Sequence, residues 1–315
     1  MKNTRKKLGN LLGFTFLSVF FLMNTVAFNH ARKFTRFSEP DGGNRTRLDE
    51  LSSLQKAGII FSGVNNPKPV NDSLPHLPYE TIELGTDRKL HCWLIPADSA
   101  RGTVILYHGY SAHKSQLVPH AEIFRNLGWN ALLVDFYGTG GSAGNESTVG
   151  YREAEDVKTS FDYVKSKSDK PIVLYGVSMG SAAVMKAVSE KTVEPDKIIL
   201  ECPFGSMRSA VDVRVGLMGA PRFPFTDLFM LWGAALNGFW TYSHNPADYA
   251  KKIEIPSLLL YGELDNKVPM AETQQIFENL KGQKNLVTFP ESGHESYLKK
   301  YEQEWTAETK AFLNP

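Results

Sequence analysis

From Tyr79 onward the chain alternates between two kinds of stretch. Short runs of consecutive apolar residues (TVILYHG, NALLVDFYG, PIVLYGVS, KIILECPF, SLLLYGELD, NLVTFPESG) are separated by longer stretches of helical spacing, roughly 115–127, 151–167, 178–191, 270–280 and 295–313. Unbroken apolar runs of this length, bounded by Gly, Pro, Asn and Asp, suit strands buried on both faces of a parallel sheet. Two earlier runs, YETIEL and KLHCWLIP, are joined by Gly85-Thr86-Asp87 and predict an antiparallel hairpin at the start of the sheet. Eight strands with crossover helices predict one open, doubly wound, mostly parallel α/β sheet over 79–315. In such a sheet the chemistry gathers at the C-terminal ends of the strands.

Ahead of the alternating body the pattern differs. The stretch from Leu8 to Asn29 carries no charge and follows the basic KNTRKK. At about 1.5 Å per residue in a helix it matches the ~30 Å of a bilayer core. Residues 1–30 therefore predict a transmembrane signal anchor or a signal peptide, Thr25-Val26-Ala27 fitting a small-x-small cleavage site only loosely. More basic residues precede the run than follow it, which orients the N-terminus to the cytoplasm and the body to the far side. The protein is then membrane-anchored with an extracytoplasmic domain or, if cleaved, secreted or periplasmic. Residues 31–78, rich in charge, Gly, Asn and Pro, predict a solvated connector with one short amphipathic segment at 48–60.

Composition narrows the class little further. An apolar share of 42% and a charged share of 22% are those of a globular chain. Thirty-five Lys and Arg against 34 Asp and Glu leave +1, and setting aside Lys2, Arg5, Lys6 and Lys7 turns the remainder to −3. No nucleic-acid partner is implied. The two cysteines, Cys92 and Cys202, stand in strand-like runs and read as core residues.

The candidate chemistry lies at strand ends. Gly176-Val177-Ser178-Met179-Gly180 is G-x-S-x-G between a strand and a helix, a setting that lifts a serine hydroxyl clear of the sheet on a tight turn. A neutral serine is a weak nucleophile and needs a base and an orienting acid. Asp265 follows the strand SLLLY, and His294 follows NLVTF. His294 would take the Ser178 proton and Asp265 would hold the imidazole. Glu263 is a substitute acid. The backbone N–H groups of Met179 and of Tyr110, in HGY after TVILY, are the expected oxyanion donors. His108 reads as a brace for that loop; the remaining histidines have no comparable context, with the entrance as an alternative for His113. HESYL lacks the second His of H-E-x-x-H, and the Gly-rich GTGGS lacks dinucleotide spacing, so no cofactor or metal is implied.

HGY, DFYGTGGSAG, GVSMG, GELDNKVP and SGH together resemble the α/β-hydrolase superfamily, especially its serine aminopeptidase-like and monoacylglycerol-lipase-like branch. The resemblance spans 79–313, and the layout with an apolar N-terminal segment also resembles membrane-anchored bacterial hydrolases. Tyr137 stands where many relatives carry Arg in D-x-R-G-x-G-x-S, and an extra glycine precedes Ser142. The resemblance implies that 205–255, with Phe223, Phe225, Phe229, Trp232, Phe239, Trp240 and Tyr242, is a lid over the nucleophile. So many aromatics suit a small hydrophobic acyl substrate. The expected activity is that of a serine hydrolase cleaving a carboxylic ester or thioester through an acyl-enzyme. A serine aminopeptidase-like peptidase and a non-catalytic binding module are the alternatives.

Overall fold

Eight strands form one sheet: β1 (Glu80–Leu84), β2 (Leu90–Ile95), β3 (Thr103–Tyr107), β4 (Asn130–Val134), β5 (Ile172–Val177), β6 (Lys197–Glu201), β7 (Ser257–Gly262) and β8 (Lys284–Phe289). This is a computed structural model that describes residues 2–39, 52, 58–59 and 61–314. The expected amphipathic segment at 48–60 lies, but for 52, 58 and 59, outside the described residues. Strand order is β1-β2-β4-β3-β5-β6-β7-β8. β2 runs antiparallel to both its neighbours, and the other pairs are parallel.

The apolar runs explain why the middle of the sheet is buried on both sides. With a side-chain period of two, Ile105, Leu132, Leu174, Leu200 and Leu259 face one layer of helices, which includes Glu153–Lys167 and Met179–Ser189. Val104, Leu133, Val173, Ile199 and Leu258 face the other layer, where Phe124 and Trp305 pack. The expected last helix starts later than its pattern predicts, at Glu302. Residues ahead of it form a loop and a short turn at Tyr297–Lys299 because the Tyr297 ring stacks at 4.9 Å on Phe289 and is fully buried.

The N-terminal helix runs from Lys2 to Thr35, and its Lys6–Thr35 portion is long and apolar enough to cross a membrane. Residues 6–22 are exposed throughout. Beyond them the helix packs on the insertion 205–255. Val26, Ala27 and Ala31 are buried, the Trp232 indole donates to Asn24 Oδ1 at 3.2 Å, Phe28 meets Trp232 edge-on, and His30 stacks on Phe229.

The described parts of the expected tether lie on the body. Phe37 is buried, Gly140 N–H donates to the Pro69 carbonyl, and Lys68 Nζ donates to the Ser142 carbonyl. Lys68 and Asn71, polar residues that made this stretch look solvated, find partners on the loop after β4, and Asn66 finds them on the loop after β3. The insertion 205–255, expected as a lid, consists mainly of helices Met207–Leu217 and Arg222–Asn237 followed by the short helix Pro246–Ala250. Ser206 caps the first by accepting from Ser209 N–H.

Candidate active site

Ser178 occupies the turn between β5 and helix Met179–Ser189 with φ 51° and ψ −107°, a strained conformation for a residue other than glycine. The turn closes because its two glycines have no side chains. A Cβ on Gly176 would lie 2.5 Å from Ser181 N, and one on Gly180 would lie 2.4 Å from the Tyr107 carbonyl oxygen of β3. The sequence G-x-S-x-G thus lets the helix start directly against two strands while the serine points outward.

Asp265 and His294 arrive from the loops after β7 and β8. The Asp265 carboxylate is fully buried and accepts from Lys267 N–H at 2.7 Å and Val268 N–H at 2.9 Å. Its other oxygen is 2.7 Å from His294 Nδ1, and His294 Nε2 is 3.1 Å from Ser178 Oγ. The three expected residues therefore form one hydrogen-bonded chain. Glu263 is turned away and accepts from Thr288 Oγ1. Burial lowers the proton affinity of His294, but the Cys202 sulfur and the Asp265 carboxylate beside it act the other way, and the net shift is upward from the ordinary histidine value.

Ser178 and His294 line a cavity of about 440 Å³ together with Tyr110, Met179, Phe204 and Leu217. Met179 is the first residue of its helix, a position whose N–H has no partner within the helix. The Tyr110 hydroxyl donates to the Phe34 carbonyl at 2.6 Å and accepts from Asn66 Nδ2 at 2.7 Å, which holds the loop after β3. His108 braces the same loop from below. Its Nε2 accepts from Phe136 N–H at 3.2 Å, so Nδ1 carries the proton given to the Gly109 carbonyl at 2.8 Å. Burial pulls this imidazole down to about 4 and keeps it neutral. His113 does not line the cavity; it is buried, with Nδ1 2.6 Å from Ser115 Oγ. His120 lines the cavity instead.

Two features escaped the sequence. Cys202 is buried as expected of a core residue, yet it lines the cavity and takes φ 37° just after β6. Its sulfur and the nearest ligand atoms of Asp265 and His294 all lie within 4.8 Å of one another, the set among the described residues that could share a metal ion. The Asp265–His294 hydrogen bond already occupies two of its members. Nothing in the run IILECPF signals this, because a left-handed φ at a cysteine is imposed by the strand end and not by the residue. The second feature is Arg88, whose guanidinium lies 4.3 Å from the centre of the Tyr137 ring and pairs with the buried Asp156 at 2.8 Å. A cation thus does reach this loop, from the β1–β2 turn, although Tyr137 occupies the position of the relatives' arginine.

The family described as Serine aminopeptidase, S33, matches residues 98–232. The Bacillus subtilis protein YqkD is 27% identical over 205 residues, 62% of this chain and 66% of the relative. The lysophosphatidylserine lipase ABHD12 of Mus musculus is 28% identical over 187 residues, 56% of this chain and 45% of the relative. The matched region thus spans less than two thirds of the length of either. Among solved structures, a Pyrococcus furiosus esterase superposes with a TM-score of 0.65 at 25% identity, covering 79% of this chain and 97% of that one.

Proposed function

We propose that this chain, which belongs to the α/β-hydrolase superfamily in its serine aminopeptidase-like branch, hydrolyses a carboxylic ester or thioester of a hydrophobic acid. One observation carries the reading: Ser178 Oγ, His294 Nε2 and Nδ1, and Asp265 Oδ2 stand in line at 3.1 and 2.7 Å above the C-terminal ends of the strands. His294 takes the hydroxyl proton as Ser178 Oγ bonds to the substrate carbonyl carbon. Asp265 keeps the proton on Nδ1 and stabilises the imidazolium. The oxyanion of the tetrahedral intermediate accepts from the N–H groups of Met179 and Tyr110, each such donor being worth about 3 kcal/mol in the transition state. His294 then gives its proton to the leaving oxygen or sulfur. Water, deprotonated by the same imidazole, releases the acid from the acyl-enzyme.

The apolar walls of the cavity, Phe204 and Leu217 among them, and the esterase and lipase relatives support an apolar acyl group over a peptide. A peptidase of N-terminal residues needs a carboxylate to hold the substrate ammonium. The lid carboxylates are engaged elsewhere: Asp212 pairs with Arg222, Asp227 accepts from Tyr242, and Asp248 pairs with Lys251. The apolar helix supports attachment to a membrane, and the excess of basic residues ahead of it supports a body outside the cytoplasm. Cleavage near Ala27 would remove part of the surface buried against the lid, which favours a retained anchor.

The test is to treat the full chain in detergent micelles with a fluorophosphonate probe, locate the adduct by peptide mass spectrometry, and compare p-nitrophenyl esters with aminoacyl anilides. An adduct on Ser178 and turnover of the esters is the expected result. Faster turnover of anilides would replace the esterase with the peptidase, and an unlabelled but folded protein would leave the binding module.

A further inference from the structure

We propose that the last turns of the N-terminal helix form one wall of an acyl-chain subsite, through which the tail of a membrane-resident ester reaches Ser178 along the protein's own anchor. The inference rests on the ester hydrolase reading and adds to it where the chain lies and where it comes from.

A second cavity runs between the N-terminal helix and the lid. It is narrow, about 60 Å³ against about 440 Å³ for the catalytic cavity, and its walls are mostly apolar, with Phe34 from the helix and Val211, Met218, Phe229, Met230 and Phe239 from the lid, while Lys33, Arg214 and Asn237 supply polar edges. Phe34, Val149 and Arg214 line both cavities, so those three side chains separate the tunnel from the catalytic chamber. The Arg214 guanidinium lies 4.2 Å from the centre of the Phe34 ring, a cation–π contact that holds the partition between anchor and lid. Methionine is an unbranched side chain that repacks at small cost, and Met207, Met218 and Met230 all line this passage. A flexible hydrocarbon tail is the occupant such a lining admits.

The direction of entry follows from exposure. The helix that supplies one wall continues without a break into the exposed, uncharged and mostly apolar residues 8–22, about 22 Å at the helical rise. On the lid itself Leu217, Phe223, Leu231 and Trp240 are exposed, Phe223 by 81%. Apolar side chains left in water on the element that covers the cavity are the expected signature of a surface that meets lipid. Helix and lid are fastened together at the level between span and cavity by Trp232 on Phe28 and Asn24 and by Phe229 on His30. A tail leaving the bilayer beside the anchor meets the seam between these two elements, and the seam ends at Phe34, beside Tyr110 and its oxyanion loop.

Gly233 offers the means of testing this. It lines the narrow cavity, and a Cβ there would make only ordinary contact, 3.6 Å from Thr241 Cγ2, so a larger side chain grows into the passage. The measurement is kcat/KM for p-nitrophenyl esters of two to twelve carbons, on the full chain in detergent micelles, for the natural protein, Gly233→Leu and Val211→Ala. Gly233→Leu should lower the twelve-carbon to two-carbon ratio at least tenfold. Val211→Ala, which widens the passage without crowding, should move the optimum to longer chains and keeps the test open if the leucine variant loses its folded thermal transition. Both ratios staying within twofold of the natural protein, with Ser178 still labelled by a fluorophosphonate, would overturn the subsite and leave the hydrolase reading standing. Absence of labelling in the natural protein would instead remove the hydrolase reading.

Discussion

The Tyr110 hydroxyl donates to the Phe34 carbonyl at 2.6 Å, and their rings lie 4.5 Å apart, so the loop after β3 is tied to the end of the N-terminal helix. Asn66 joins the same oxygen from the segment between them. Three parts of the chain distant in sequence thus fix the residue whose N–H is proposed to meet the oxyanion. Tyr110→Phe removes these bonds and keeps the ring. We expect a loss of about 1 kcal/mol in stability and a several-fold fall in kcat, read by chemical denaturation and by ester turnover; an unchanged kcat would detach the loop from catalysis.

Ser178→Ala should leave the circular dichroism spectrum unchanged and cut ester turnover by about a thousandfold or more. Near-natural activity in that variant would eliminate the proposed mechanism.

The pH profile follows from the surroundings of His294. The imidazole acts as base only when neutral, and its proton affinity is raised, so activity should fall as pH drops through a midpoint above the ordinary histidine value. A natural midpoint at or below about 6.5 would refute the assignment.

Lys114 and Asp135 are a fully buried ion pair beneath the loop after β3, and the carboxylate also accepts from Lys114 N–H, Gly141 N–H and Asn71 Nδ2. Removing one partner strands a charge in a dry interior. Lys114→Met should cost about 3–5 kcal/mol in urea unfolding, and adding Asp135→Asn should recover part of it. Equal losses in the single and double variants would show that the charge pair is not the source.

The docked turns of the anchor set where it can be cut. A cut after His30, the boundary that the sequence suggests, would remove Val26 and Ala27, both buried. Deleting residues 1–22 should give soluble protein with a natural melting temperature. Deleting 1–35 should lower it and promote aggregation, because Phe229 and Trp232 lose their partners on the helix. Identical melting curves for the two deletions would show that the docking adds nothing to stability.

The sequence by itself determined the sheet and the order of its chemistry. Apolar runs of strand length leave β3 to β7 no solution but burial on both faces, and the glycines around Ser178 allow the one turn in which Cβ atoms would collide with β3 and with the turn itself. These are local constraints, legible because each concerns a few neighbouring residues. Tertiary structure decided what depends on distance. It brought Cys202 to the His294 imidazole, laid the polar connector against the body, and docked the C-terminal end of an apolar helix onto the insertion 205–255. None of these follows from a window of sequence, because hydropathy records that a side chain avoids water and not which surface replaces it.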